Sequence, residues 1–134
     1  MSKNPCLVRV LLAIFITVSS PLAVADATTT WDVEDKLSGI ASYFSDKLHG
    51  QRTANGERYD KTDLTAAHAN LPFGTVLKVV NLDNNHSVYL RINSRTHQKN
   101  KRVLDVSKQA AKELGFLRAG LARVEVTILQ LGDA

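Results

Sequence analysis

TVLKVVNLDNNHSVYLRI (residues 75–92) decides the fold class of this chain. Residues 75–80 are mostly β-branched, and in residues 87–92 the apolar side chains of Val88, Leu90 and Ile92 alternate with more polar ones. This period of two predicts a pair of β-strands. The connection between them, residues 81–86, is rich in Asn and Asp, which tolerate left-handed backbone angles, so we expect a hairpin.

Further segments outside this hairpin complete the predicted elements. Residues 122–128 alternate even more regularly, and residues 39–44 and 102–106 have the composition of shorter strands. A helix is predicted over residues 108–114, because Ser107 can cap its start and Gly115 can end it. Many short strands with one helix favour a small closed β-barrel, since closure removes exposed sheet edges.

The first 25 residues differ in composition from the rest of the chain. They hold Lys3, Arg9 and no acidic residue, then the apolar run 10–18, and they end in Ala23-Val24-Ala25. A basic start, a short apolar middle and a small-x-small end predict a secretory signal peptide cleaved after Ala25, although a retained anchor helix is the alternative. We therefore expect an exported, periplasmic or secreted protein with no stable membrane insertion after cleavage.

Composition excludes several function classes. The chain has 134 residues, room for one domain, and a single cysteine, so intramolecular disulfides and four-cysteine zinc sites are excluded. Cys6 precedes the apolar run, so we expect no lipid anchor on it. Removing residues 1–25 leaves 15 basic and 13 acidic residues, a formal charge of +2 that gives little reason to expect a nucleic-acid partner. We expect a monomer with no cofactor and no metal ion.

The mature chain divides into a polar segment and a folded domain. Residues 26–38 are polar without a clear period, which predicts an N-terminal arm or linker. The domain is expected over residues 39–131. Within it, Glu57, Asp60 and His68 are three titratable groups in a short polar stretch, and general acid/base catalysis needs such groups beside a leaving oxygen. Spacing alone favours solvated loop carboxylates and a structural histidine, because loop carboxylates are common and few are catalytic.

Three longer segments resemble one known family. They are GIASYFSDKLHGQRTANGERYD (39–60), LTAAHANLPFGTVLKVVNLDNNHSVYLRIN (64–93) and RVLDVSKQAAKELG (102–115). In combination they are similar to the rare lipoprotein A (RlpA-like) family of septal-ring lytic transglycosylases. The resemblance implies a mainly β fold, a small six-stranded double-psi β-barrel with one or two short helices.

The resemblance also implies an activity and a substrate. It implies a carbon–oxygen lyase that cuts peptidoglycan glycan strands lacking stem peptides, without water, and leaves 1,6-anhydro-N-acetylmuramic acid ends. Cell-division or wall-remodelling proteins are the implied partners. Glu57, Asp60 and His68 match the family's polar site residues, and Asn93 and Arg95 match a further site loop. Arg91 or Arg95 would hold the glycan or its lactyl carboxylate.

One position departs from the family pattern. The family's aspartate in that loop is replaced by Ser94, and the following Gly-Pro is absent. A hydroxyl is too weak an acid to protonate a glycosidic oxygen at neutral pH. Two hypotheses therefore remain: a lytic transglycosylase with an altered site, or a catalytically impaired barrel that binds peptidoglycan. Plant-type expansins and some cellulases share the barrel, so a different cell-wall polysaccharide is a third possibility, by analogy of fold.

Overall fold

The structure, a computed structural model, describes residues 30–97, 99 and 101–133. The predicted signal peptide over residues 1–25 lies outside this part of the chain. The described residues form six strands, a short 3-10 helix and one α-helix. In chain order these are β1 (Lys36–Tyr43), the 3-10 helix (Asp46–Leu48), β2 (Thr65–Ala67), β3 (Val76–Asn81), β4 (Ser87–Ser94), β5 (Leu104–Val106), α1 (Lys108–Leu114) and β6 (Ala122–Gln130).

The six strands close into a barrel in the order β1, β5, β2, β4, β3, β6. Two neighbouring pairs, β1 with β5 and β2 with β4, are parallel, and the other pairs are antiparallel. The prediction of a mainly β, six-stranded barrel with a short helix is confirmed. Strand β4 lies between β2 and β3 in the closed barrel. Residues from the central part of the sequence therefore lie at the two ends of this strand.

The alternation read from the sequence corresponds to the inside and the outside of this barrel. Val88, Leu90 and Ile92 on β4 are buried in the core, whereas Tyr89 between them is 58% exposed. Val124 and Val126 on β6 are also fully buried. Because successive side chains of a strand point to opposite faces, one row fills the barrel and the other faces solvent.

Two strands differ from the predictions. Strand β1 begins at Lys36, three residues before the predicted start of the domain, because residues 36–41 pair with β6. The preceding arm also contacts the barrel: the backbone N–H of Glu34 donates to the carbonyl of Ile128 at 2.7 Å, and Trp31 packs against the core. Strand β2 was not predicted, since a strand of three residues is too short to display a period.

Helix α1 follows its predicted caps. The side chain of Ser107 accepts a hydrogen bond from the backbone N–H of Ala110, and Gly115 ends the helix in a left-handed conformation with φ 78°. Ala110, Ala111 and Leu114 face the core. In the described residues, no helix has the length and apolar character needed to cross a membrane.

Candidate active site

Glu57 lies on a loop that is tied to the end of β4. The backbone N–H of Asn55 donates to the carbonyl of Asn93 at 3.2 Å, and the backbone N–H of Ala54 donates to Oγ of Ser94 at 3.2 Å. Within the loop, Oδ1 of Asn55 accepts from the backbone N–H of Glu57. These bonds hold the Glu57 side chain against the outward face of β4.

Three side chains donate hydrogen bonds to the Glu57 carboxylate. Nη1 of Arg91 lies 2.8 Å from Oε2, Nδ2 of Asn55 lies 2.9 Å from Oε2, and Nδ2 of Asn93 lies 3.2 Å from Oε1. The Arg91 hydrogen bond is the largest cause that lowers the pKa of Glu57 to about 2, and the two amides lower it further. Glu57 is therefore an ionised carboxylate at neutral pH, able to accept a proton. Its side chain is 39% exposed, so a ligand can reach it.

Asn93 is buried beneath this ion pair and is not fully satisfied. The residue is 2% exposed, and its Oδ1 has no hydrogen-bond partner among the described residues. A buried acceptor without a donor costs about 1–3 kcal/mol. The amide is held in place by its bond to Glu57, so the position of Asn93 serves the carboxylate at the expense of stability.

Ser94, at the family's aspartate position, binds the Glu57 loop through its hydroxyl, which accepts from the Ala54 backbone. It also lines a shallow pocket of about 60 Å³. The other lining residues are Phe44, Leu48, Gln51, Arg52, Thr53 and Tyr59. The predicted substrate-binding residues Arg91, Asn93 and Ser94 thus lie together beside Glu57.

His68 is a buried, neutral imidazole. Its Nδ1 accepts hydrogen bonds from the backbone N–H groups of Asn70 and Leu71, each at 3.1 Å, so the ring proton is assigned to Nε2. Burial, with a smaller contribution from the charge of Arg95, lowers the pKa of His68 to about 4. The ring of Trp31 packs edge-on at 5.6 Å between centroids. His68 therefore organises the 68–71 turn and can act as a hydrogen-bond donor at neutral pH.

Asp60 forms its hydrogen bonds within its own turn and not with the residues around Glu57. Its Oδ1 accepts from the backbone N–H of Thr62 at 2.8 Å and from the Thr62 hydroxyl at 2.6 Å, and these bonds lower the pKa of Asp60. Among the described residues, its hydrogen bonds do not join the network of Glu57 and Arg91. The structure brings Glu57 together with β4, while Asp60 is engaged in its own turn.

Arg95 follows β4 and packs on an aromatic ring. Its guanidinium carbon lies 4.0 Å from the centroid of the Phe73 ring, and Nη1 contacts the carbonyl of Ser94 at 3.4 Å. Burial lowers the pKa of Arg95. The backbone N–H of His68 donates to the carbonyl of Ser94 at 3.2 Å, which places Arg95 and His68 on adjoining segments at one end of the site.

Sequence reasoning assigned no role to Asn55, Phe73 and Trp31. Asn55 and Phe73 lie within the segments 39–60 and 64–93 that carry the family resemblance. Trp31 lies in the segment predicted to be an arm or linker. No group of three or more potential metal-binding side chains occurs within the ranges that the structure covers.

Comparison with known proteins identifies the family. The family model described as lytic transglycolase matches residues 36–126, so this chain belongs to that family of double-psi β-barrel proteins. It is 41% identical over 102 residues to the endolytic peptidoglycan transglycosylase RlpA of Campylobacter jejuni, covering 76% of this chain and 37% of that protein. The RlpA protein of Pseudomonas aeruginosa is 48% identical over 91 residues, covering 68% of this chain and 27% of that protein. The chain thus spans about a third of the length of these curated relatives.

Solved structures with low sequence identity share the fold. A Streptomyces papain inhibitor is similar with a TM-score of 0.60 at 17% identity, covering 73% of this chain and 97% of that one. An expansin of Clavibacter michiganensis is similar with a TM-score of 0.59 at 17% identity, covering 75% of this chain and 53% of that one. At this identity the likeness concerns the barrel alone.

Proposed function

We propose that this chain is an endolytic peptidoglycan transglycosylase that acts on glycan strands lacking stem peptides. The observation that carries the proposal is the exposed, ionised Glu57 on a family barrel, held by Arg91 and Asn93. The names of the relatives support the same activity. Because the chain spans only part of their length, the substrate and the activity are proposals for this protein.

The proposed reaction needs two proton transfers. The bond between C1 of N-acetylmuramic acid and the oxygen of the next N-acetylglucosamine breaks, and that oxygen receives a proton. The 6-hydroxyl oxygen of the same muramic acid forms a bond to C1, and its proton passes to a carboxylate. Ionised Glu57 fits only the second transfer, so the proton for the leaving oxygen must come either from a second acid or from Glu57 itself in its protonated form.

A mechanism with a single carboxyl group places a further demand on Glu57. The group that accepts the 6-hydroxyl proton must first have delivered a proton to the leaving oxygen, so Glu57 would have to bind substrate in its protonated form. The Arg91 guanidinium opposes protonation, so this route requires the ion pair between Glu57 and Arg91 to open when Glu57 takes up its proton. Asp60 remains the second candidate for proton transfer, and His68 is proposed to position the turn beside the site.

The test is a matched pair of carboxyl-to-amide substitutions. We expect Glu57→Gln to lower the release of anhydro-ended fragments from stem-stripped sacculi roughly 100-fold or more, because an amide neither accepts nor donates this proton. Glu113→Gln on the exposed face of α1 is the control and should retain activity. If Glu57→Gln cleaves normally and Asp60→Asn does not, the assignment to Glu57 is wrong. Wild-type protein that releases no anhydro products would contradict the proposed activity.

A peptidoglycan-binding barrel without turnover is the second candidate. It is favoured by Ser94, whose hydroxyl is engaged by the Ala54 backbone and supplies no acid. This candidate predicts co-sedimentation of wild-type protein with peptidoglycan while the glycan length stays unchanged. Under this candidate, Ser94→Asp should introduce lytic activity that the wild-type protein lacks. Cleavage by the wild-type protein would exclude this candidate.

A further inference from the structure

Arg95 is a site side chain whose charge no carboxylate balances among the described residues. Its guanidinium stacks on Phe73 at 4.0 Å and is partly removed from solvent, as its lowered pKa reflects. In the part of the chain that the structure describes, no carboxylate forms an ion pair with Arg95. Its one hydrogen bond is a long contact with the Ser94 carbonyl. Stacking fixes the plane of the guanidinium while leaving N–H donors available.

The neighbours of Arg95 add no negative charge. His68 is neutral, with its proton assigned to Nε2, and the charge of Arg95 contributes to its low pKa. The ring of Trp31 packs on His68, and its buried Nε1–H has no acceptor among the described residues. Neither of these two side chains brings a negative charge to the Arg95 guanidinium, which leaves its N–H groups available to an anionic ligand.

Arg91, which contacts Glu57, differs from Arg95 because its charge is balanced. Its Nη1 is 2.8 Å from Glu57 and its charge is balanced there. A ligand carboxylate at Arg91 would compete with Glu57, whereas one at Arg95 would meet an unpaired cation. A planar guanidinium binds a carboxylate with two parallel hydrogen bonds, so the preference for a carboxylate over a neutral group is large.

The chemistry of the substrate identifies the anion, and this step rests on the proposed function. The sugar backbone of a peptidoglycan strand is neutral apart from the lactyl group of N-acetylmuramic acid. That group is a free carboxylate when the stem peptide has been removed and an amide when the peptide is attached. We propose that Arg95, stacked on Phe73, binds the lactyl carboxylate of a stem-stripped muramic acid and thereby selects stripped strands and sets their register over Glu57.

The test compares three muramic-acid tetrasaccharides in equilibrium binding to the full chain. The first has free lactyl carboxylates, the second has lactyl carboxamides, and the third carries stem peptides. We expect the carboxylate form to bind about 10-fold or more tightly than the carboxamide, because a charge-assisted pair replaces a neutral contact. The third ligand distinguishes the lactyl carboxylate from the carboxylates of a peptide, and it should bind no better than the carboxamide.

Two variants that each remove one positive charge show whether the preference for the carboxylate depends on Arg95. Arg95→Gln should abolish the preference, so that carboxylate and carboxamide bind with equal affinity. Arg118→Gln, an exposed arginine after α1, removes the same charge and should leave the preference intact. A preference that survives Arg95→Gln would overturn the proposal. Equal binding of carboxylate and carboxamide by the wild-type protein would also overturn the proposal, whatever the variants show. Binding of none of the three would instead contradict the proposed function.

Discussion

Glu57 and His68 have protonation states that their neighbours determine. Both have a lowered pKa, Glu57 because Arg91 stabilises its charged form and His68 because burial disfavours its charged form. At neutral pH the site therefore contains one carboxylate and one neutral imidazole. The carboxylate is open to solvent, while the imidazole is enclosed by Trp31 and its own turn. These positions suit Glu57 to chemistry and His68 to positioning.

The buried imidazole gives a pH dependence that can be measured. The unfolded chain binds a proton at His68 near pH 6.5, and the folded chain does so only near pH 4. Between these values the unfolded state holds more protons, so the free energy of unfolding rises with pH through this window. The predicted contribution is about 3 kcal/mol, because each pKa unit corresponds to about 1.4 kcal/mol.

Urea unfolding at several pH values between 4 and 7 tests this prediction. His68→Gln should show a shallower rise of unfolding free energy with pH than the wild-type protein. His86→Gln, in the exposed connection between β3 and β4, is the control and should follow the wild-type slope. A His68→Gln protein with the wild-type slope would contradict the predicted burial of a neutral imidazole.

Helix α1 illustrates how one element is locked to another. The Leu114 carbonyl at its end accepts hydrogen bonds from Nδ2 of Asn81 at 2.8 Å and Nδ2 of Asn84 at 3.0 Å, both in or beside the β3–β4 connection. These side chains satisfy a carbonyl that the end of a helix leaves free. The hairpin and the helix are thus joined at Gly115, where the chain turns.

Two glycines allow this junction to be tested. Gly115 and Gly120 both have left-handed φ angles, 78° and 80°, so alanine at either position costs about 1–2 kcal/mol. A Cβ at Gly115 would also lie 2.7 Å from Nδ2 of Asn84, whereas one at Gly120 meets no atom within 4 Å. We expect Gly115→Ala to lower the free energy of unfolding by about 1 kcal/mol more than Gly120→Ala, since the Asn84 bond is lost. Equal losses in chemical denaturation would contradict the role of Asn84.

The whole barrel depends on strands that pair on both sides. Strand β6 pairs with β1 and β3, and the three-residue β2 pairs with β4 and β5. Closure leaves no open sheet edge, which stabilises a small domain and limits edge-to-edge association. The parallel pairing of β2 with β4 is also what brings the 65–68 segment beside Arg91 and Ser94.

We propose that the whole chain is exported and then shortened. Cleavage after Ala25 leaves 109 of the 134 residues, begins the mature chain at Asp26 and removes Cys6. Strand β1 begins at Lys36, so the barrel keeps all of its strands. The intact mass of the periplasmic protein should match a chain that begins at Asp26. A thiol reagent should not label this protein, because its single cysteine, Cys6, has been removed. A membrane-bound protein of full mass would favour the retained anchor helix.

Local patterns in the sequence were enough to predict most of the elements. Strand β3 follows from its β-branched residues, and β4 and β6 follow from a side-chain period of two. Helix α1 follows from Ser107 and Gly115. All of these signals depend on neighbouring residues. Motifs of the family indicated the barrel and the site candidates. The start of β1 at Lys36 and the existence of β2 depend on pairing with distant strands, so no local signal marks them.

Only the tertiary structure decided what the site residues can do. The sequence offered Glu57, Asp60 and His68 as equivalent candidates, but the lowered pKa of Glu57 comes mainly from Arg91, 34 positions away. The burial of His68 depends on Trp31, and the unpaired charge of Arg95 depends on which carboxylates the fold brings near it. Protonation and charge balance arise from contacts across the barrel, because electrostatic and desolvation energies depend on distance in space and not on separation along the chain.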